Sequence, residues 1–160
     1  YRAGVMASSR PSLRTRRSRA VPRAGTPFVG VISGVGLVVS VFLPWYATNL
    51  APPFSATSAS GWDATNIARV VLLAGVVLAA ASVVLLLDEQ GALRVDRAVT
   101  DALVWVVLVS AIIAAIAVGF RLVVMPDPAE FLSRQIGIFI AAACAVGGIL
   151  AGLAAIATRD

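Results

Sequence analysis

The chain has 160 residues, of which 59% are hydrophobic and only 13% are charged, with a formal net charge of +5. This composition is too apolar for a water-soluble domain of this length and indicates an integral membrane protein. The sequence has no His and a single Cys, Cys144. These absences exclude a His-based proton relay, a His-ligated haem or zinc site and an internal disulfide or paired-cysteine redox centre.

The first predicted segment is a basic tail at residues 1–27. Seven of the thirteen Arg residues precede the first apolar run, in a stretch rich in Ser and Pro that has no apolar periodicity. Such a stretch cannot bury surface, so we expect it to be disordered and to contact anionic lipid headgroups. Tethering beside a membrane and the lack of interleaved aromatic residues argue against nucleic acid as its partner.

Four apolar segments follow, at about residues 28–46, 67–87, 99–124 and 136–157. A helix needs about 20 apolar residues to cross the hydrocarbon core, so each segment qualifies as a span. The connections are too short and polar for further domains. The predicted fold is therefore an all-α membrane protein, with a four-transmembrane-helix bundle over residues 28–158. Cleavage of the first span as a signal peptide is an alternative, although this span is longer than a usual signal core.

The Arg residues near the span ends predict the orientation, because basic residues are retained on the cytoplasmic side. The tail, the second loop and the C-terminus carry ten of the thirteen, and the other side carries Arg69, Arg121 and Arg134. We therefore expect a protein of the bacterial plasma membrane with both termini in the cytoplasm. The first and third loops then lie outside.

Aromatic residues fit this arrangement. Trp and Tyr prefer the headgroup level, where an apolar ring and a polar tip are both satisfied. We expect Trp45, Tyr46 and Trp62 to anchor the outer interface and Trp105 the inner one.

Charged residues gather at the predicted outer rim. They are Asp63, Arg69, Arg121, Asp127, Glu130 and Arg134. Three acids against three bases indicate a neutral, salt-bridged collar, and the functional alternative is a site for an anion or a lipid headgroup. Ser60 and Asp63 also have the spacing of a capping box at the start of the second span.

The fourth span carries a stripe of small residues at i, i+3 and i+4 spacing. Its members are Gly137, Ala141, Ala145, Gly148 and Gly152. Lipid gives no hydrophobic drive for helix association, so a GxxxG stripe marks close helix contact. Packing inside the bundle is the first interpretation, and a homodimer face is the alternative.

Three short motifs stand at the span ends: LPWY at residues 43–46, SGWD at residues 60–63 and SRQIGI at residues 133–138. Their pattern resembles that of small, uncharacterised four-span membrane proteins of actinobacteria. The resemblance implies a membrane location, a four-helix fold and a GC-rich bacterial origin, and it brings no known activity.

The residue types also bear on function. The chain shows no nucleophile with a base, no Gly-rich phosphate loop and no metal-ligand cluster, so we expect no catalysis, no cofactor and no metal. We predict a non-catalytic interaction or accessory subunit that contacts a second copy or another membrane protein. The alternative is a small oligomeric channel or transporter that uses the outer charge cluster, although few hydroxyl groups are available to line a path.

The predicted orientation is testable with reporter fusions. A reporter that is active only outside the cytoplasm should be active when fused at Ser58 and silent when fused in the second loop, because the second loop carries the basic residues. The opposite pattern of activity would contradict the orientation.

Overall fold

The structure is a computed structural model that describes residues 25–48, 57–124 and 132–158. In chain order its elements are α1 (Gly25–Phe42), β1 (Pro44–Thr48), β2 (Ser58–Ser60), α2 (Gly61–Ala64), α3 (Ile67–Glu89), α4 (Arg97–Val123), β3 (Leu132–Arg134) and α5 (Ile136–Ala157). Residues 1–24 of the predicted tail lie outside the described residues, as do Asp127 and Glu130.

Four of the helices, α1, α3, α4 and α5, are long and apolar enough to cross a membrane. The prediction of four membrane-length helices is therefore confirmed. Large apolar side chains point outward along them: Leu73 is 63% exposed, Ile116 is 67% exposed and Leu150 is 60% exposed. A surface of this kind suits hydrocarbon better than water.

The four long helices form a ring. Helix α1 packs against α3 and α5, and α4 packs against the same two helices from the opposite side. The centre is filled by side chains from several helices, among them Leu37, Leu78 and Ile138, each 0% exposed. The middle of the described bundle therefore has a packed apolar interior.

Glycine allows the closest approach in the bundle, between α1 and α3. A Cβ atom on Gly34 would lie 2.5 Å from the backbone nitrogen of Ala79, and a Cβ atom on Gly75 would lie 3.0 Å from the carbonyl oxygen of Gly34. The obstacle at Gly34 is backbone, and at Gly75 it is the Leu37 Cβ at 2.9 Å together with the Gly34 carbonyl, so no change of rotamer would make room. In lipid, where packing rather than water exclusion holds helices together, this contact is a main source of α1–α3 affinity.

The small-residue stripe of α5 is buried in the same chain. All five members are buried: Gly137, Ala141, Ala145, Gly148 and Gly152. A Cβ atom on Gly148 would lie 3.0 Å from the Cβ of Ala111, and one on Gly152 would lie 3.0 Å from the Cβ of Leu108. Since both neighbours belong to α4, the stripe is used inside the bundle and is not presented to a second copy.

A three-stranded antiparallel sheet, in the order β2-β1-β3, closes one end of the bundle, which we call the sheet end. This sheet departs from the all-α prediction. Helix α1 stops at Phe42 because Pro44 cannot continue it, so the predicted end of the first span belongs to β1 instead. Strand β1 pairs with β2 through Ala47 and Ser58, and with β3 through Ala47 and Ser133.

The opposite end, which we call the hairpin end, contains the turn between α3 and α4. Gly91 has a φ of +72°, the left-handed conformation that commonly ends a helix. Its N–H donates to the carbonyl of Asp88 at 3.0 Å, and the Asp88 carboxylate accepts from the N–H of Val95 at 3.1 Å. The start of α1 and the end of α5 lie at this same end.

The close approach of α1 to α3 predicts a difference between two glycines. Gly34→Ala should destabilise the bundle by about 1–3 kcal/mol, because the added methyl meets the Ala79 backbone. Gly119→Ala is the matched control, since a Cβ atom there meets nothing within 4 Å. Thermal unfolding of both variants in one detergent, followed by circular dichroism, measures the difference. An equal fall in midpoint for both variants would contradict this account of the packing.

Candidate functional site

The indole of Trp45 lies at the centre of the sheet end and is 0% exposed. Its Nε1–H donates to the carbonyl of Ser40 at 2.7 Å. A Cβ atom on Gly61 would lie 2.6 Å from the ring, and one on Gly137 would lie 2.8 Å from it. The ring therefore fits only because two segments, one before α3 and one in α5, carry glycine against it.

Tyr46 is buried beside Trp45, with 1% of its surface exposed. Successive strand residues normally point to opposite faces, so burial of two neighbours means either that both faces are covered or that the pleat is broken. The pairing of β1 with β2 has such an irregularity between Pro44 and Tyr46, and a bulge of this type re-aims a side chain. Both rings thus differ from the predicted lipid-facing anchors, because they are enclosed by the protein.

The other two predicted anchors are on the surface. Trp62 is 44% exposed and Trp105 is 58% exposed. Their contact with lipid headgroups stays a prediction.

The three sequence motifs meet at the sheet end. The Gly61 N–H donates to the carbonyl of Leu43 at 3.3 Å, which joins SGWD to LPWY. The Gln135 N–H donates to the carbonyl of Trp45 at 2.8 Å, which joins SRQIGI to LPWY. Segments that are far apart in the sequence therefore form one cap over the helices.

Tyr46 also connects the cap to α4. Its hydroxyl donates to the carbonyl of Arg121 at 3.3 Å. Burial raises the pKa of the Tyr46 phenol above its ordinary value, and the positive charges of Arg121 and Arg134 oppose part of that rise.

A polar cavity of about 420 Å³ opens beside the cap. It is lined by Trp62, Asp63, Thr65, Asn66, Ile67, Arg69 and Arg121. Arg121 donates through Nη2 to the hydroxyl of Thr65, which also accepts from the N–H of Ile67 at 3.2 Å. The Nε atom of Arg121 is buried and has no hydrogen-bond partner among the described residues. One guanidinium donor is therefore buried without an acceptor in the described part of the structure.

An aromatic–arginine patch, formed by Phe42, Trp62 and Arg69, lies next to this cavity. The rings of Phe42 and Trp62 stack with centroids 6.3 Å apart and planes 22° apart. The guanidinium of Arg69 lies 5.3 Å from the Trp62 ring centroid, within the range of a cation–π contact. This contact holds Arg69 against the protein surface.

Ser60 and Asp63 form a cap, but on a different helix from the one predicted. The Asp63 N–H donates to the Ser60 hydroxyl oxygen at 3.3 Å, and that hydroxyl donates to the Asp63 carboxylate at 2.6 Å. The helix that they start is the single turn α2, whereas α3 begins at Ile67. The short helix turns the chain from the sheet into the second span.

The predicted charge cluster is brought together only in part. Asp63, Arg69 and Arg121 line the polar cavity, whereas Arg134 is exposed on β3 and pairs across the sheet with Tyr46. Among the described residues that line the cavity, two guanidinium groups against one carboxylate favour an anion. The sequence analysis missed Thr65, whose hydroxyl orients Arg121 and which no charge pattern would reveal.

Comparison with known proteins adds no assignment. No protein-family model, curated protein or solved structure matches the chain. The resemblance to actinobacterial four-span proteins therefore stays a prediction. Among the described residues, no group of three His, Cys, Asp or Glu is placed to hold a metal ion.

The burial of Tyr46 predicts that the folded protein loses stability at alkaline pH. In the unfolded chain its phenol loses its proton near the ordinary pKa of about 10, whereas the folded chain holds that proton to higher pH. The free energy of unfolding that the neutral phenol contributes is fully present below the ordinary pKa. It is lost as pH rises through the raised pKa of the folded chain. Unfolding midpoints should fall over this window in the wild type and fall less in Tyr46→Phe. Identical alkaline profiles would contradict the burial effect.

Proposed function

We propose that this chain is a non-catalytic interaction or accessory subunit of the bacterial plasma membrane. In this proposal both termini are cytoplasmic, and the sheet end faces outside and binds another membrane protein. The observation that carries it is the contrast between a bundle interior that is filled by its own side chains and a sheet end that exposes an ordered aromatic–arginine patch.

The interior argues against a conducting path. Ser40, one of the few buried hydroxyl residues, donates to the carbonyl of Leu37 at 2.7 Å and so is used within its own helix. Leu37, Leu78 and Ile138 are each 0% exposed and fill the interior from the middle of the described bundle to its sheet end. A water-filled pore needs polar groups in series, and this apolar layer interrupts any such series.

The aromatic–arginine patch supports binding at the sheet end. Phe42 is 61% exposed and Trp62 is 44% exposed, although their stacking and the cation–π contact hold them in place. Aromatic residues and Arg are enriched in protein interfaces, where a large rigid ring is buried at little entropic cost. The partner binds with an apolar group over the Trp62 ring.

The polar cavity defines the rest of the partner's chemistry. Arg121 is oriented by Thr65 and keeps a buried Nε–H without a partner among the described residues. A carboxylate from the partner pairs with the guanidinium groups of Arg69 and Arg121 where they line the cavity and compensates their positive charge. Charge-assisted hydrogen bonds to Arg are among the stronger polar contacts in proteins, about 1.5–3 kcal/mol each.

A second function is favoured by the same cavity. The unpaired Arg121 donor and the adjacent Arg69 also suit a small inorganic anion, as a channel or transporter with an outer charge site would require. In this alternative an oligomer supplies the conducting path, because the interior of a single bundle is filled.

Site-specific photocrosslinking distinguishes these functions. A photoreactive amino acid at position 62 should give one discrete adduct with a membrane protein in native membranes. The matched control is the same amino acid at position 150, because Leu150 is 60% exposed on the lipid-facing side of α5 and should give no protein adduct. Adding Arg121→Gln to the position 62 variant should reduce the adduct, since the partner's carboxylate loses its positively charged donor.

The contrary outcome is equally specific. Absence of any adduct at position 62, or the same adducts at positions 62 and 150, would count against a binding surface at the sheet end. Anion efflux from proteoliposomes that Arg69→Ala abolishes, with the thermal midpoint unchanged, would support the transport function instead.

A further inference from the structure

The polar cavity at the sheet end lies at the level of lipid headgroups. Helix α4 has 27 residues, so at about 1.5 Å per residue it is about 40 Å long, whereas the hydrocarbon core of a bilayer is about 30 Å thick. The ends of such a helix reach the headgroup region, where phospholipids carry their phosphates. Arg121 lies in the last turn of α4, and Arg69 lies in the first turn of α3. Both guanidinium groups of the cavity are therefore placed at the depth of lipid phosphates.

Both guanidinium groups are also ordered by contacts within the protein. The guanidinium of Arg69 lies 5.3 Å from the centroid of the Trp62 ring, and that ring stacks in turn on Phe42. Arg121 donates through Nη2 to the hydroxyl of Thr65. Side chains that are ordered before a ligand arrives lose less conformational entropy when it binds. The cavity is thus prepared for an anion.

The hydroxyl of Thr65 indicates the same type of ligand. Its oxygen accepts from Arg121 Nη2 and from the N–H of Ile67, so both lone pairs are used and the hydroxyl proton can only be donated. No acceptor for this proton is present among the described residues. Thr65 lines the cavity and is 7% exposed, and a buried donor without an acceptor is costly to the fold. An oxygen atom of an anion in the cavity is an acceptor of the required kind.

The charge of the cavity suits a ligand with a single negative charge. Among the described lining residues, two guanidinium groups and the carboxylate of Asp63 leave one positive charge. The Asp63 carboxylate accepts from the Ser60 hydroxyl at 2.6 Å, so it is held by its own helix cap. A phosphodiester carries one negative charge and neutralises the remaining positive charge.

An apolar surface adjoins the cavity. Phe42 is 61% exposed and Trp62 is 44% exposed, and Phe42 is the last residue of the membrane-length helix α1. This surface therefore lies beside the first carbons of the lipid chains. A free inorganic anion in the cavity would leave the aromatic rings uncovered. A phospholipid would cover them with its glycerol and acyl groups.

We propose that the polar cavity binds the phosphate of an anionic phospholipid from the leaflet at the sheet end. The phosphate oxygens accept from the guanidinium groups of Arg69 and Arg121, and the acyl chains pack on Phe42 and Trp62. A zwitterionic phospholipid fits less well, because its headgroup brings a cation next to two guanidinium groups. Lipid binding itself needs no protein partner.

The lipid occupies the cavity that also receives the partner's carboxylate, and in this respect alone the inference rests on the proposed function. Two anionic groups cannot occupy one set of guanidinium donors together. The partner therefore displaces the lipid, and a membrane rich in anionic phospholipid weakens binding of the partner.

Native mass spectrometry of the full chain in a mild detergent tests the lipid site. The chain is titrated with phosphatidylglycerol, with phosphatidylcholine of the same acyl chains, and with soluble glycerol 3-phosphate as the competitor that lacks acyl chains. We expect phosphatidylglycerol to bind saturably and about tenfold more tightly than phosphatidylcholine, as one charge-assisted contact predicts. Glycerol 3-phosphate should not displace it at equal concentration, because it covers no aromatic surface.

Matched variants assign this lipid to the cavity. Arg69→Gln should weaken phosphatidylglycerol binding about tenfold, since one of the two charged donors is lost. Arg134→Gln is the control, because Arg134 is exposed at the same end and does not line the cavity, and it should leave binding unchanged. Lipid that is held by the basic tail is equally present in both variants, so the difference between them reports the cavity.

Three results would overturn the lipid site. They are equal affinity for phosphatidylglycerol and phosphatidylcholine, equal effects of Arg69→Gln and Arg134→Gln, and displacement by glycerol 3-phosphate at equal concentration, which would indicate a site for free phosphate. Should Arg69→Gln fail to fold, the comparison of the two lipids on the wild type still decides the outcome.

The competition with the partner is tested by the photocrosslink at position 62. Native membrane vesicles are fused with liposomes of phosphatidylglycerol or of phosphatidylcholine. The adduct should decrease with phosphatidylglycerol alone, whereas an adduct that is equal in both membranes contradicts the competition. Absence of any adduct contradicts the proposed function, and the lipid site then stands or falls on the mass spectrometry of the isolated chain.

Discussion

Burial of the Trp45 indole is the constraint on which the sheet end depends. The ring is enclosed by backbone from Gly61 and Gly137, and its Nε1–H is satisfied by the Ser40 carbonyl. Truncating a fully buried Trp typically costs about 3–5 kcal/mol, whereas one neutral hydrogen bond contributes about 1 kcal/mol. Packing around this ring therefore contributes as much as several hydrogen bonds of the short strands. The sheet is the consequence of enclosing the indole, and it holds α2, Thr65 and Arg121 at fixed positions.

Packed side chains fill the middle of the bundle and separate its two ends. Gly34 and Gly75 bring α1 against α3, and the small residues of α5 bring it against α4, so the described core has no space for polar chemistry. Two buried polar atoms without a hydrogen-bond partner among the described residues lie on either side of this apolar layer. Arg121 Nε lies at the sheet end, and Ser82 Oγ lies against Gly30 of α1 in the half of the bundle nearer the hairpin end.

Much of this architecture follows from local sequence patterns. The four membrane-length helices can be predicted from the length and hydropathy of the apolar runs. The stripe of α5 can be predicted from the spacing of its small residues. Both are local properties, because each is contained within one helix. The sheet could not be found in this way, since β1 pairs with strands on either side of it in the sequence and each partner has only three residues. The prediction that Trp45 anchors the lipid interface is wrong for a related reason. Composition does not distinguish an aromatic ring that faces lipid at the end of a span from a ring that is enclosed by glycines of other segments. The glycines of SGWD and SRQIGI are the sequence features that could have indicated this enclosure.

The order of the strands also governs how the chain is completed during synthesis. The central strand β1 emerges directly after the first span, but its partner β3 and the glycine that covers one side of the Trp45 ring arrive only with the last span. Until that span has been inserted, the indole is uncovered on that side and an edge of β1 has not yet met β3. A nascent chain that stalls after three spans thus displays an aromatic side chain and an unpaired strand edge, which is a template for pairing with another chain. The cap therefore forms only once the segment that contains β3 and the start of α5 has been made.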